Sequence, residues 1–136
     1  MKVAISACVA GQKCRYDGKD KFREDVMSSF SKDEITLFCP EDVIFGTPRE
    51  PINIIDSKVM QNGKEFTKEI EQEAYKLVDV SPDIVVLKSK SPSCGLNSVK
   101  YYDKNQKIIS ETGIGVFAKI LVDNLVDTKF YEESEL

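Results

Sequence analysis

The sequence predicts a small α/β fold, in which a mostly parallel sheet is flanked by helices in the doubly wound, Rossmann-like arrangement. Three short apolar runs, at residues 3–8, 34–39 and 83–88, have the length and composition of strands. Because these runs are close to continuously apolar, we expect strands that are covered on both faces, as in parallel sheets. Helix-like stretches lie between the runs, and this alternation is typical of α/β folds.

Apolar residues at helical spacing predict three helices. The clearest covers residues 66–78 and is expected to end at Ser81-Pro82. A second covers residues 116–125, and a weaker pattern covers residues 23–31. No repeat or linker divides the chain, so we expect one domain over residues 1–136. The acidic end of the chain predicts a frayed, solvated tail over about residues 129–136.

The composition is that of an ordinary globular protein, with 41% hydrophobic and 31% charged residues. The apolar runs are far shorter than the ~18 residues of a membrane span, and the N-terminus has the pattern of a strand rather than a leader. These features predict a cytoplasmic protein without a membrane partner. The net charge of −4 argues against general nucleic-acid binding. The chain has 4 cysteines and no histidine, which excludes histidine-based catalysis and histidine-ligated metals within one chain.

Three cysteines are placed at the ends of predicted strands. Cys8 and Cys39 end the first two strands, and Cys94 follows the third by a few residues. Since sites in open α/β folds form at the carboxyl ends of strands, we expect these thiols to converge. The ordinary alternative is that buried cysteines act as small hydrophobic residues. The absence of a C-x-x-C pair disfavours zinc and a redox dithiol, whereas dispersed thiolates suit a [4Fe–4S] cluster with one open iron. Spacing alone stays compatible with any soft metal.

The residues around the cysteines form a specific series of motifs. In chain order they are Ser6-Ala7-Cys8, Cys14-Arg15-Tyr16-Asp17-Gly18, Cys39-Pro40-Glu41, Pro48-Arg49-Glu50-Pro51 and Ser91-Pro92-Ser93-Cys94-Gly95. This series resembles the 2-thiouracil desulfurase family over residues 2 to about 125. The resemblance implies a [4Fe–4S] cluster, readily lost in air, with Cys8, Cys39 and Cys94 matched to its ligands. Cys14 is then structural, forms a disulfide in the empty site, or replaces Cys8 as a ligand.

The resemblance also implies a redox-neutral hydrolysis, in which an oxygen from water replaces the sulfur of a thiolated pyrimidine similar to 2-thiouracil. The soft thiocarbonyl sulfur suits an open cluster iron. Attack by water needs a general base, which in a histidine-free chain is most naturally a carboxylate. Glu41, two residues after Cys39, is the candidate base, and its ordinary alternative is a first-turn helix acid or a solvated loop charge. The expected partner is a small thiolated base rather than a macromolecule.

Two serines are further candidates for the site. Ser91 and Ser93 are expected either to hydrogen-bond the cluster sulfide or the substrate ring, or only to shape their turn.

Charged residues complete the predicted site. Arg15 and Arg49 are candidates to orient a ring carbonyl or to anchor an acid, with surface arginine as the alternative. Asp17 is a second candidate for binding or base chemistry, although Asp17-Gly18 is also a turn signal. Lys88 is a candidate for substrate binding, and only one of Lys88 and Lys90 is expected to face the site.

Two segments depart from the family pattern. Residues 42–46 lack the paired glycines that usually follow Cys-Pro-Glu, and Ile114 stands where an acidic residue is common. Both segments are expected to border the pocket, so the cluster could be kept while the preferred substrate differs. A competing hypothesis is a non-catalytic metal-binding or redox-sensing domain that uses the same thiols. A third is a structural domain with incidental cysteines.

Overall fold

The computed structural model describes residues 1–136. The strands in chain order are β1 (Lys2–Ser6), β2 (Glu34–Phe38), β3 (Asn53–Ile55), β4 (Lys58–Gln61), β5 (Lys64–Glu65), β6 (Ile84–Leu87), β7 (Val99–Tyr102), β8 (Ile108–Gly113) and β9 (Lys129–Glu132). The helices are α1 (Glu24–Ser29), α2 (Pro40–Phe45), α3 (Thr67–Val80) and α4 (Val116–Asn124), and a 3₁₀ turn covers Glu133–Glu135.

Four parallel strands form one sheet, here called sheet A, in the order β2-β1-β6-β9. Alternate residues of a strand point to opposite faces. Val3 and Ile5 of β1 therefore pack on one face with Val26 of α1. Ala4 packs on the other face with Leu87 and with buried residues of α3 and α4. Helices cover both faces of sheet A, and the predicted α/β class is confirmed.

The longest helix, α3, forms where the apolar spacing predicted it. Ile70, Ala74 and Leu77 are spaced by four and three residues, so they lie on one face, and all three are buried in the core. The helix ends at Ser81, which adopts a left-handed conformation with φ of 53° directly before Pro82. The other two predicted stretches contain α1 and α4. None of the helices is both long and apolar enough to cross a membrane.

A second sheet, here called sheet B, was not predicted. Its strand order is β5-β4-β3-β7-β8, and it mixes antiparallel pairs with the parallel pair of β3 and β7. Two-residue turns, Asp56-Ser57 and Asn62-Gly63, join β3 to β4 and β4 to β5, and all four residues have positive φ. Val59 of β4 is fully buried in the core that contains α3 and α4. Sheet B therefore extends the same core as sheet A.

The end of the chain is an edge strand of sheet A rather than a frayed tail. Strand β9 pairs in parallel with β6. Glu132 and Glu133 are only 3% and 6% exposed. Arg23 donates hydrogen bonds to the Glu133 carbonyl at 3.0 Å and to the Leu136 carbonyl at 2.7 Å. The prediction of a solvated tail is wrong, because these acidic residues are buried among hydrogen-bond donors from distant parts of the chain.

Candidate functional site

Loops at the carboxyl ends of β1, β2 and β6 line a cavity of about 350 Å³, and all four cysteines lie on its wall. Cys8 follows β1, Cys39 follows β2 directly, and Cys94 lies in the turn after β6. The structure thus brings together the three thiols that were expected to converge, with Cys14 beside them. All four cysteines are free thiols.

Local hydrogen bonds hold two of these thiols in place. Cys39 is the N-cap residue of α2, and Pro40 occupies the first helical position, where a missing N–H removes no helical hydrogen bond. In the turn after β6, the Cys94 amide donates to Ser91 Oγ at 3.1 Å, and the Gly95 amide donates to the Ser91 carbonyl at 2.8 Å. The Cys39 thiol therefore projects from the start of a helix, and the Cys94 thiol from a hydrogen-bonded turn.

The N-terminus of α4 packs against the turn that carries Cys94. The Gly115 amide donates to the Gly95 carbonyl at 2.7 Å, and the Ala118 amide donates to the Ser93 carbonyl at 3.1 Å. A Cβ atom on Gly115 would lie 2.3 Å from the Ser93 carbonyl oxygen. Only glycine at position 115 permits this close approach.

Burial raises the pKa of every thiol on the cavity wall. The pKa of Cys14 rises to about 12, because the neighbouring Cys39 adds to the effect of burial. The pKa of Cys94 lies well above its ordinary value, mainly because the thiol is buried. The hydrogen bond with Ser93 lowers this pKa, whereas the nearby Glu41, Cys39 and Cys8 raise it further. The free thiols are therefore protonated at neutral pH, and a metal that binds them must displace protons.

Glu41 lies in the first turn of α2 and also lines the cavity. Its Oε2 atom accepts hydrogen bonds from Ser91 Oγ at 3.2 Å and from Ser93 Oγ at 2.5 Å. Ser93 Oγ in turn lies 3.5 Å from Cys94 Sγ. Glu41 is thus a first-turn helix acid that faces the site, and the two serines join it to the turn of Cys94.

Arg49 is a buried residue of the cavity wall rather than a surface arginine, since its side chain is 5% exposed. Its Nη1 atom donates to the carbonyls of Cys14 at 2.8 Å and Gly46 at 3.1 Å, and to Thr47 Oγ1 at 3.0 Å. Its Nε atom lies 3.6 Å from Glu41 Oε1 and has no hydrogen-bond partner. Arg49 therefore anchors the Cys14 backbone and faces the Glu41 carboxylate.

The other predicted basic residues lie on the same wall. Arg15 lines the cavity and forms an ion pair with Asp17 at 3.5 Å. Asp17 itself does not line the cavity. It accepts a hydrogen bond from the Lys19 amide at 3.0 Å, which lowers the pKa of its carboxyl and matches the turn interpretation. Lys88 and Lys90 both contribute to the cavity wall, but the Lys88 ammonium is directed to Ser89 and Glu133. Strand β6 ends before them, and Lys90 has φ of 65°, so strand alternation does not apply.

Two residues that support the cavity wall, Glu132 and Glu133, were not predicted from the sequence. Glu133 accepts hydrogen bonds from Ser89, and it pairs with Lys88 at 3.0 Å. Glu132 accepts hydrogen bonds from the residues just after Cys94. Their only sequence signal is their place in an acidic tail, which favoured solvent exposure. Residues 42–46 lie behind the cavity wall, where the Gly46 carbonyl accepts a hydrogen bond from Arg49; neither this segment nor Ile114 lines the cavity itself.

The arrangement of the cysteines can be compared with the geometry that a zinc ion and a [4Fe–4S] cluster each require. No three His, Cys, Asp or Glu side chains in the chain are placed to hold a single metal ion. A tetrahedral zinc ion needs its sulfur ligands about 3.8 Å apart, as follows from a Zn–S bond of about 2.3 Å. In a [4Fe–4S] cluster each thiolate bonds a different iron, so the ligands stand farther apart. The thiols of Cys8, Cys39 and Cys94 come from separate loops around one cavity, and thiolate donors spread in this way suit a cluster better than a single zinc ion.

The fold and the site define a class: α/β proteins with a thiol-lined cavity at the carboxyl edge of a parallel sheet. The model of the 2-thiouracil desulfurase family matches residues 3–133, and the chain belongs to this family. The resemblance of the motifs is thereby confirmed.

Two relatives are consistent with this assignment. The chain is 30% identical to the "Uncharacterized protein YbbK" of Bacillus subtilis (strain 168). The match extends over 135 residues and covers 88% of each of the two chains. Among solved structures, it is similar to the [4Fe-4S]-dependent thiouracil desulfidase TudS, with a TM-score of 0.79 and 28% identity. That likeness covers 99% of this chain and 92% of TudS.

Proposed function

We propose that the chain is a [4Fe–4S]-dependent desulfurase that converts the C=S group of a thiouracil-like base to C=O and releases sulfide. Family membership and the likeness to TudS support the reaction class and the cofactor. The observation that carries the proposal for this chain is the Glu41 carboxylate. It lines the thiol-lined cavity and is hydrogen-bonded to Ser91 and Ser93 beside Cys94.

We assign the cluster ligands to Cys8, Cys39 and Cys94. This assignment follows the family motifs, and all three residues line the cavity. Cys14 also lines the cavity and lies close to Cys39, whose Sγ donates to the Cys14 carbonyl at 3.6 Å. Cys14 is therefore the alternative ligand in place of Cys8. A bound cluster with one open iron supplies a soft Lewis acid for the thiocarbonyl sulfur.

The residues of the chain supply the proton chemistry. Glu41 accepts a proton from the water whose oxygen attacks the thiocarbonyl carbon, and no electrons are exchanged overall. Ser91 and Ser93 hold the Glu41 carboxylate toward the turn of Cys94. Ser93 contacts both the carboxylate and Cys94 Sγ, so its hydroxyl orients the carboxylate beside Cys94.

The basic wall positions the substrate in the proposed enzyme. Arg15 is placed to donate to a ring carbonyl, and the Nε atom of Arg49 is a further buried donor. Lys88 adds positive charge to this wall, because its ammonium already donates to Ser89 and pairs with Glu133. Asp17 contributes indirectly, by its ion pair with Arg15. The proposal includes a small-molecule partner rather than a nucleic acid or a membrane, a cytoplasmic location, and one domain over residues 1–136.

The test compares anaerobically loaded wild type with Glu41→Gln and with Glu65→Gln, an exposed carboxylate on β5 that serves as the matched control. We expect wild type and Glu65→Gln to release sulfide from 2-thiouracil at equal rates. Glu41→Gln should lose at least about 100-fold in kcat, the usual contribution of a general base, with unchanged iron content.

Two results would count against the proposal in different ways. A Glu41→Gln variant with the wild-type rate would refute the role of the carboxylate. Loaded wild-type protein that releases no sulfide from any thiolated pyrimidine in a panel would favour the non-catalytic metal-binding or redox-sensing domain.

A further inference from the structure

Two adjacent glutamates at the end of the chain are buried behind the cavity wall. Glu132 Oε2 accepts hydrogen bonds from the Leu96 amide at 2.9 Å and the Asn97 amide at 3.4 Å, and from the Ser98 hydroxyl. Ser98 Oγ also accepts a hydrogen bond from the Lys90 amide at 2.7 Å. One carboxylate thus fixes the chain directly after the turn of Cys94.

Glu133 holds the other end of the same segment. Its two oxygens accept hydrogen bonds from the Ser89 amide at 2.7 Å and the Ser89 hydroxyl at 2.6 Å, and Oε1 lies 3.0 Å from Lys88 Nζ. Arg23, at the start of α1, donates to the Glu133 carbonyl and ties this residue to the other face of sheet A. The segment of residues 88–98 is therefore held at both ends by strand β9 and the turn that follows it.

The segment carries Ser91, Ser93 and Cys94, together with the two lysines of the cavity wall, Lys88 and Lys90. It has no strand or helix of its own to fix its backbone. A buried amide that loses its acceptor is costly, so movement of the segment away from the glutamates is opposed. The two carboxylates are in turn costly to bury unless these donors stay in place. The carboxylates therefore stabilise the position of the loop, and the donors of the loop stabilise the buried carboxylates.

We propose that Glu132 and Glu133 are positioning residues that present Cys94 to the cavity by fixing both ends of the loop of residues 88–98. They touch neither the substrate nor the reacting atoms, and they act through the loop: backbone amides and the side chains of Lys88, Ser89 and Ser98. The inference rests on the proposed function only in the use made of Cys94 as a cluster ligand. It implies that the last strand of the chain must be in place before the cluster site is complete.

The test uses a readout that does not need the cluster. Cluster-free, reduced protein is treated with iodoacetamide well below its unfolding temperature, and alkylation of each cysteine is followed by mass spectrometry. Cys94 and Cys14 are 3% and 5% exposed in the structure, so each reacts only when its surroundings open. We expect Glu132→Ala and Glu133→Ala to raise the rate at Cys94 about 10-fold or more, with Cys14 changed less than about twofold.

Two milder variants keep the test decisive if the glutamate-to-alanine variants do not fold. Ser98→Ala removes the hydroxyl that joins Glu132 to the Lys90 amide and leaves both carboxylates in place. Glu133→Gln replaces one of two accepting oxygens with a donor. Both should raise Cys94 alkylation selectively, by less than the alanine variants. Leu77→Ala, a buried position on α3 in the same core as Cys94, is the control for general loss of stability, and at an equal loss of stability it should raise Cys94 alkylation less than the glutamate variants do.

The loaded protein gives a second readout. Iron should pass to an anaerobic chelator faster from the glutamate variants than from a Leu77→Ala protein of equal unfolding temperature.

Equal acceleration of alkylation at Cys94 and Cys14 in the glutamate variants, or no acceleration of alkylation at Cys94, would overturn the inference. If wild type takes up no cluster, the proposed function fails, while the alkylation pattern still decides the positioning role.

Discussion

Single residues decide how the cavity wall is held, and Glu133 gives the clearest case. Burial by itself would raise the pKa of its carboxyl. The hydrogen bonds from Ser89 and the ion pair with Lys88 outweigh that effect and lower the pKa below its ordinary value. The guanidinium of Arg23 lies on the other side, bound to the Glu133 carbonyl. The ionised form is therefore the form that the fold stabilises.

This lowered pKa predicts a pH dependence of stability. The contribution of Glu133 is fully present above its unfolded-state pKa of about 4.3 and is lost as the pH falls through the lower folded-state pKa. Glu133→Gln should reduce the free energy of unfolding by about 1–3 kcal/mol at pH 7. The difference from wild type should shrink below about pH 4.3, because the protonated carboxyl resembles the amide. Urea unfolding between pH 7 and pH 3 measures it.

Glu111→Gln, at an exposed position of β8, is the matched control and should stay near wild type throughout. A difference between wild type and Glu133→Gln that does not change with pH would show that the ionised carboxylate is not what stabilises the contact.

Sequence reasoning could identify the residues of the site whose neighbours along the chain carry a signal. Cys8, Cys39 and Cys94 follow apolar runs, and Glu41 is tied to Cys39 by two residues of chain. Glu133 has no such signal, because its partners Ser89 and Lys88 are more than forty residues away. The pairing of a buried charge depends on tertiary contacts, and a local pattern of acidic residues does not contain them.

At the scale of elements, the strands of sheet A were predictable and those of sheet B were not. Continuous apolar runs mark strands buried on both faces, as in β1 and β6. The strands of sheet B are short and partly exposed, and their runs are too brief for a clear period. One signal was available, since Asn62-Gly63 is a typical two-residue hairpin turn, and both residues have positive φ. Strand β9 was missed because its residues lie beside the acidic end of the chain.

The packing of α4 gives a prediction at this scale. Leu121 of α4 is fully buried in the core that α4 shares with α3 and sheet A, whereas its neighbour Val122 is 38% exposed. Leu121→Ala should lower the free energy of unfolding by about 2–5 kcal/mol, through lost burial and the cavity left behind. Val122→Ala should change it by less than about 0.5 kcal/mol. Urea unfolding of the cluster-free protein measures both, and equal losses would contradict the burial of this face of α4.

At the scale of the whole molecule, the parallel order of sheet A explains why residues far apart in sequence meet. Strands β1, β2 and β6 run in the same direction, so the loops that carry Cys8, Cys39 and Cys94 leave the same edge. Strand β9 lies beside β6 and ends at this edge as well, which brings its two glutamates behind the loop of Cys94. The chain as a whole is acidic, with a net charge of −4, yet five basic side chains lie on the cavity wall: Arg15, Lys21, Arg49, Lys88 and Lys90.

Anaerobic reconstitution of the wild-type chain with iron and sulfide, followed by incubation with 2-thiouracil, tests the desulfurase function most directly. We expect a brown protein with about four irons per chain. It should release one sulfide for each uracil formed, without added oxidant or reductant. Protein that stays colourless and iron-free under these conditions, or loaded protein that forms no uracil, would show that the chain is not a [4Fe–4S]-dependent desulfurase.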